Sequence, residues 1–340
     1  MELNQIIQGD SLTILPTLQD QFFSMCVTSP PYWGLRDYGI PPTKWPEVSY
    51  SPMAGIPEIK VPEWEGCLGL EATPEMYVGH LVLIFREVYR TLREDGTLWL
   101  NLGDSYTTKH KEHTQFEGSR SGIKGATRDN QLRASGNQNL KPKNLVGIPW
   151  RVALALQAEE WFLRGDIIWN KPNCMPESVK DRPTKCHEYL FLLSKNEKYN
   201  YNFEAIKEKC VNGDPNPPRG SLGVIGQGNS GRRDKGNRKT FRGGGVYTKN
   251  QSFNNSAEVA NSSHGNIPNK LGLRNKRSVW TIATQPCKEA HFATFPEKLI
   301  EPCIKAGCHP EGIVLDPFIG AGTTGIVAQN LGRNFIGIEL

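Results

Sequence analysis

The sequence predicts an α/β fold built on an open sheet whose chain order is rotated, and three observations carry that reading. Near the carboxyl end, Gly312 to Asp316, Gly322 to Leu331 and Asn334 to Glu339 read as strand, helix and strand, a βαβ unit. At the amino end, the short apolar runs Leu3 to Ile7 and Phe22 to Thr28 stop at the punctuated segments Gly9-Asp10 and Ser29-Pro30-Pro31-Tyr32. Between the ordered ends lies a long polar stretch without apolar periodicity. The economical arrangement makes the terminal βαβ unit and the first strand spatial neighbours.

The elements follow in order. Residues 74 to 93 carry apolar side chains at helical spacing (Tyr77, Leu81, Ile84, Phe85, Val88, Leu92), and after Gly96 the run Thr97 to Leu102 reads as a strand. Residues 104 to 145 are polar, Gly-rich and basic, and are expected to form a long mobile loop. Trp150 to Leu163 then reads as an amphipathic helix, with Asp166 to Asn170 and His187 to Ser194 as further strands. From 205 to 280 the periodicity is lost. That segment holds 14 Lys and Arg against four Asp and Glu, so it carries +10 of a chain whose net charge is +5, and the remainder is net −5. Charge segregated in this way is the footprint of a polyanion-binding surface on an acidic body, although a solvated insertion that binds nothing has the same composition. Three parts result: 1–204, an inserted 205–280, and 281–340.

At 340 residues, with 37% hydrophobic and 22% charged side chains, a sizeable core is available, while 34 Gly and 24 Pro imply long irregular connections. The eight cysteines are scattered without a CxxC pair, and the chain opens on Met1-Glu2-Leu3-Asn4 instead of a basic and then apolar leader. Reduced thiols in a cytoplasm are expected. There is no apolar run of about 18 residues, so no membrane span is expected.

In Asp316-Pro317-Phe318-Ile319-Gly320-Ala321-Gly322-Thr323-Thr324-Gly325, three glycines satisfy GxGxxG, with Glu339 ending the next strand. Glycines at such a strand-to-helix turn let backbone approach a ligand, and the acid takes two ribose hydroxyls. An NAD-binding site and a turn with no ligand both fit the pattern. A pyrophosphate favours a bare positive helix end, whereas Asp316 adds negative charge, which suits a ligand bearing an amino group and a sulfonium. Ser29-Pro30-Pro31-Tyr32 follows a buried strand, where ligands of open α/β sheets bind. Its prolines fix φ and offer no N–H, so the backbone presents acceptors. Ser29 Oγ and the Pro30 carbonyl accepting both hydrogens of an exocyclic amine would draw its lone pair out of ring conjugation, and Tyr32 can stack on an extruded base. Alone, the tetrapeptide is equally well a rigid turn.

Taken together, Val27 to Tyr32 and Asp316 to Thr324 resemble the β-group of amino-methylating DNA methyltransferases, in which the catalytic motif precedes the cofactor motif. Gly9-Asp10, the stretch Arg182 to Ile206 with His187-Glu188, and His291 to Leu299 resemble further motifs of that family, and no catalytic role is expected of His187 or Glu188; its members often have Lys where this chain has Phe295. The resemblance covers about 200 residues and leaves 104–145 and 205–280 unmatched. It implies a Rossmann-like methyltransferase sheet in permuted order, S-adenosyl-L-methionine as cofactor, and double-stranded DNA as substrate. It also implies a cofactor site of Asp10, Asp316, Pro317, Phe318, Gly320, Gly322, Thr323, Thr324 and Glu339, and a catalytic site of Ser29, Pro30, Pro31 and Tyr32. A basic target-recognition insertion would contact DNA through Arg219, Arg232, Arg233, Lys235, Arg238, Lys239 and Arg242; Lys171, in Trp169-Asn170-Lys171-Pro172, fits a DNA-backbone contact and a solvated lysine equally well, and a cognate restriction endonuclease is a candidate partner that the sequence does not itself disclose. Serine before Pro-Pro-Tyr typifies members that methylate cytosine N4, so that target is favoured over adenine N6.

Competing readings are an NAD-dependent oxidoreductase resting on the glycines and a non-catalytic DNA-binding protein. Cys303, Cys308 and His309 invite a zinc reading, but Cys303 sits in an apolar helical pattern and core thiols fit better. No metal is expected. Trp33, Arg36, Asp37 and Tyr38 fit a wall of the base pocket or ordinary turn packing equally well.

Overall fold

The computed structural model describes residues 2–34, 39–107, 140–209, 273–285 and 295–340. By contacts the chain divides into two compact units, Met1–Ile206 with Arg277–Leu340, and Lys207–Lys276. Within the second, the described residues form a two-residue antiparallel ladder of Glu208–Lys209 with Leu273–Arg274, closed by an Arg274–Glu208 ion pair at 2.8 Å.

The first unit holds a central sheet of eight strands: β1 Gln5–Gln8, β2 Phe23–Thr28, β3 Leu92–Leu102, β4 Phe162–Asn170, β5 His187–Ser194, β6 Val279–Thr281, β7 Ile313–Asp316 and β8 Asn334–Glu339. Their spatial order is β1-β8-β7-β2-β3-β5-β4-β6, and only β5 runs antiparallel to its neighbours. The rotated order is therefore present: β1 pairs in parallel with β8, Gln5 opposite Ile336 through Gln8 opposite Glu339. Strand β6, placed by composition inside the insertion, is instead an edge strand of this sheet, registered against β4 from Val279 opposite Ile168.

Alternation along the strands builds a core on each face, because successive side chains of a strand point to opposite sides. Cys26, Leu98, Leu100, Phe191, Leu193 and Leu315 join one cluster, and Met25, Val27, Trp99, Leu190, Leu192 and Val314 the other. Helices α2 (Pro74–Thr91) and α3 (Ile148–Ala158) cover the first face, and α4 (Glu297–Gly307) and α5 (Thr323–Asn330) the second. Helix α2 starts where Thr73 Oγ1 accepts from Met76 N at 3.2 Å and Pro74 occupies the first turn. The cap of α3 is supplied from outside, by the Asp104 carboxylate, which accepts from Gly147 N and Ile148 N at 3.0 and 3.1 Å.

Two boundaries differ from expectation. Helix α3 stops at Ala158, not Leu163, because Glu160 adopts a left-handed φ of 77° and β4 starts at Phe162. Strand β3 begins at Leu92 directly after α2, and its register against β2 jumps from Phe23–Leu92 to Met25–Thr97, so the residues around Gly96 form a bulge. Two antiparallel ribbons, Thr43–Trp45 with Trp64–Gly66 and Val48–Tyr50 with Ile59–Val61, were not apparent from periodicity. Among the described residues, no helix is long and apolar enough to cross a membrane.

Candidate active site

Strands β2 and β7 are parallel neighbours, with Met25 opposite Val314 and Cys26 opposite Leu315, so the loops leaving their carboxyl ends emerge side by side. A direct bond joins them: Thr28 Oγ1 donates to Asp316 Oδ1 at 2.6 Å across 288 residues of sequence. The tetrapeptide 29–32 and the glycine loop 317–322 thus share one end of the sheet, as a common substrate requires.

Asp316 is wholly buried. Besides Thr28, its carboxylate accepts from Thr324 Oγ1 at 2.5 Å and from the Phe318 N–H at 3.1 Å. Burial pushes its carboxyl up to about 7 against the pull of the Thr28, Thr324 and Phe318 bonds, and the nearby Glu339 charge pushes the same way. Asp316 is a fastener between β2, its own loop and α5, with three of its acceptor positions taken by protein donors.

Glu339 is the acid that faces the loop. Its Oε2 accepts the Gly320 N–H at 2.8 Å, and no described residue donates to its Oε1. Gly320 and Gly322 adopt φ of 53° and 83°, and a Cβ on Gly320 would meet no protein atom within 4 Å, so the loop borders open space there. Gly325 serves packing, since a Cβ would stand 2.7 Å from the Phe335 ring. Thr323 opens α5, and the Pro317 carbonyl accepts from Ser11 Oγ, which draws the start of α1 (Ser11–Ile14) onto the loop. Phe318 packs half-buried against the first core. Asp10 lies next to Gly9, whose N–H donates to the Glu339 carbonyl at 2.8 Å. Its own carboxylate caps α1 through Leu12 N at 2.7 Å and accepts from Thr43 Oγ1, so it shapes the turn beside the loop.

In the tetrapeptide, Tyr77 Oη donates to the Pro31 carbonyl at 2.8 Å, whereas the Pro30 carbonyl accepts nothing from the described residues. The Tyr32 ring lies over Gly103, where a Cβ would come within 2.5 Å of it. Its hydroxyl has Glu188 Oε2 at 2.9 Å, Asn101 Oδ1 at 3.1 Å and Ser29 Oγ at 3.3 Å. Burial first, and then the Glu188 charge, hold this phenol well above the usual range, so it stays protonated.

The Lys171 ammonium pairs with Glu188 Oε1 and lies 4.1 Å from the centre of the Trp169 ring. Trp33 is buried and donates to the Glu71 carbonyl at 2.9 Å, so it is turn packing. Phe295 is a core residue, which removes it as a polar cofactor contact, and Cys303 and Cys308 are buried. Arg219, Arg232, Arg233, Lys235, Arg238, Lys239, Arg242, Arg36, Asp37, Tyr38, His291 and most of the 104–145 loop lie outside the described residues.

The family model described as "DNA methylase", of the N6/N4 type, matches residues 23–340. The chain is a member of this DNA methylase family. The chain is 39% identical to the type II methyltransferase M.Cfr9I of Citrobacter freundii, over 100% of this chain and 85% of that protein. It is also 39% identical to M.SmaI of Serratia marcescens, over 99% of this chain and 86% of that one. Among solved structures, the PvuII DNA methyltransferase (cytosine-N4-specific) superposes with a TM-score of 0.54 at 18% identity, covering 99% of this chain and 81% of that one, a likeness of fold.

The methyl donor of this DNA methylase is S-adenosyl-L-methionine. The residues present fit it: the half-exposed Glu339 offers an unclaimed oxygen to ribose hydroxyls, and the space over Gly320 admits the ligand without a side-chain clash. Sequence reasoning placed Glu188 in a family-like stretch without expecting a catalytic role for it, and missed Asn101 beside Tyr32. A signal existed for Asn101, a polar residue within the buried strand run Leu98 to Leu102.

Proposed function

We propose that this DNA methylase transfers a methyl group to the exocyclic N4 of cytosine, acting on a base turned out of duplex DNA. The observation that carries this reading is the pairing of two amine acceptors, Ser29 Oγ and the Pro30 carbonyl, with the glycine loop one strand away, joined by the Thr28–Asp316 bond. Both hydrogens of an amino group can be accepted there, which frees its lone pair for the methyl supplied by S-adenosylmethionine. Tyr32, seated over Gly103 with its hydroxyl tied down, offers its ring to an extruded base. Serine at the head of the tetrapeptide favours cytosine over adenine.

The segment around Lys207–Lys276, with its excess of Lys and Arg, is assigned to target recognition, and Arg219, Arg232, Arg233, Lys235, Arg238, Lys239 and Arg242 are its candidate DNA contacts. M.Cfr9I and M.SmaI are named type II methyltransferases, which supports a role in restriction-modification beside a cognate endonuclease.

The test is a reaction of the purified protein, labelled S-adenosylmethionine and unmodified DNA, followed by digestion to nucleosides and mass spectrometry. N4-methylcytosine is expected. N6-methyladenine would move the target to adenine within the same chemistry, and methylation at a ring carbon would overturn the role given to Ser29 and Pro30.

A further inference from the structure

Methylating a neutral amine leaves a proton to be removed, and the route for it is laid out beside the acceptors. Ser29 Oγ donates to Tyr32 Oη at 3.3 Å, and Tyr32 Oη has Glu188 Oε2 at 2.9 Å. Asn101 Oδ1, at 3.1 Å, competes for the single phenol proton, but a carboxylate is the stronger acceptor. Lys171 holds the other Glu188 oxygen, and Asn101 Nδ2 donates both to Glu188 Oε2 at 3.5 Å and to the Tyr189 carbonyl at 3.0 Å. The Lys171 and Glu188 side chains are each 17% exposed, so the chain of hydroxyls begins in the pocket and ends where water reaches.

We propose that Ser29, Tyr32 and Glu188 form a proton relay that carries the amine's proton from the pocket to Glu188 and on to solvent. The inference rests on the reading of Ser29 as an amine acceptor. As the nitrogen lone pair forms the new N–C bond, the electron pair of the broken S–C bond returns to sulfur, which loses its positive charge. The amine proton passes to Ser29 Oγ, the serine proton to Tyr32 Oη, and the tyrosine proton to Glu188, whose carboxylate becomes a neutral acid. Neither Ser29 nor Tyr32 carries net charge before or after. The buried phenol's resistance to ionisation is therefore no obstacle, because it gains one proton as it gives up another. Lys171 pairs with the other Glu188 oxygen, and Lys185 nearby bonds the Asp104 carbonyl at 2.9 Å, so two cationic side chains stand beside the end of the relay.

Glu188 acts through Tyr32 without touching the base, so its test must separate a relay from a scaffold. Glu188→Gln keeps the size and an acceptor for the phenol but takes no proton at neutral pH, while Glu188→Asp retains a proton acceptor. Three quantities are measured for each full-length protein: S-adenosylmethionine Kd by calorimetry, Kd for unmodified duplex DNA by fluorescence anisotropy, and single-turnover methyl transfer. Glu188→Gln is expected to keep both Kd values within about twofold and to lose about 100-fold in transfer rate, with Glu188→Asp recovering about tenfold of that loss. Transfer by Glu188→Gln within about threefold of wild type overturns the relay, as does a loss of binding in proportion to the rate, or Glu188→Asp no faster than Glu188→Gln. Wild-type protein that methylates no amine would overturn the reading of function first, and the relay with it.

Discussion

Asp316 makes a quantitative prediction about stability. Its carboxyl ordinarily titrates at 3.8 and in the folded protein is raised to about 7, chiefly by burial. At about 1.36 kcal/mol per pH unit, the ionised form is disfavoured in the fold by about 4 kcal/mol. Between these two pH values the folded chain holds a proton that the unfolded chain has released, so this group's contribution is fully present below 3.8 and is lost as pH rises through 7. Asp316→Asn keeps the shape and one carbonyl acceptor and removes the titration. Urea unfolding of both proteins at pH 5, 6, 7 and 8, extrapolated to water, isolates the term as the difference between the two curves. The wild type should lose about 2–3 kcal/mol relative to Asp316→Asn between pH 5 and pH 8, most of it below pH 7. Parallel curves, or a wild type that gains on the variant as pH rises, would refute the assignment of a carboxylate buried against its own ionisation.

Two more outcomes follow from the geometry of the pocket. Glu339→Ala removes the acceptor of the Gly320 N–H and the free oxygen beside it; S-adenosylmethionine Kd should rise about 10- to 100-fold by calorimetry, the equivalent of a charged hydrogen bond of about 1.5–3 kcal/mol, and an unchanged Kd would remove Glu339 from the cofactor site. Gly103→Ala inserts a methyl 2.5 Å from the Tyr32 ring, an overpacking of about 1–3 kcal/mol, and should cut single-turnover transfer while leaving cofactor Kd near wild type; full activity would show that the ring can move without consequence.

The strands that carry the site were legible where one period dominated. β5 and β8 have the limits that their apolar runs indicate, and the βαβ unit at the carboxyl end packs beside β1. Trp161-Phe162-Leu163 is apolar at every position and fits either period, so the α3–β4 boundary turned on the backbone of Glu160, which the pattern does not report. Three-residue strands such as Thr43–Trp45 are too short to show alternation. The site's motifs were visible, but which of their side chains face the pocket was not. Asp316 and Glu339 both read as acids beside a glycine loop, and only burial separates the fastener from the residue with an oxygen to spare. Glu188 lies 156 residues from Tyr32, and the family-like stretch around it does not say which side chain it meets; the contact comes from the antiparallel pairing of β5 with β3.

That separation explains why a costly buried carboxyl sits at the junction. Loop-closure entropy grows only logarithmically, so the long chain between β2 and β7 adds little penalty for bringing them together. It also supplies no local geometry to set them in register. Only two residue pairs define that register, Met25–Val314 and Cys26–Leu315, while a one-residue slip would turn every side chain of the strand to the other face. Thr28 and Thr324, bonding the two oxygens of one Asp316 carboxyl, add directional constraints from β2 and α5 at the point where the tetrapeptide and the glycine loop begin. Asparagine at 316 can relieve the burial cost and still accept at one oxygen, but it replaces the other acceptor with a donor. A variant more stable than wild type at pH 8 is thus expected to hold the loops less tightly, with stability and alignment drawing opposite demands from one side chain.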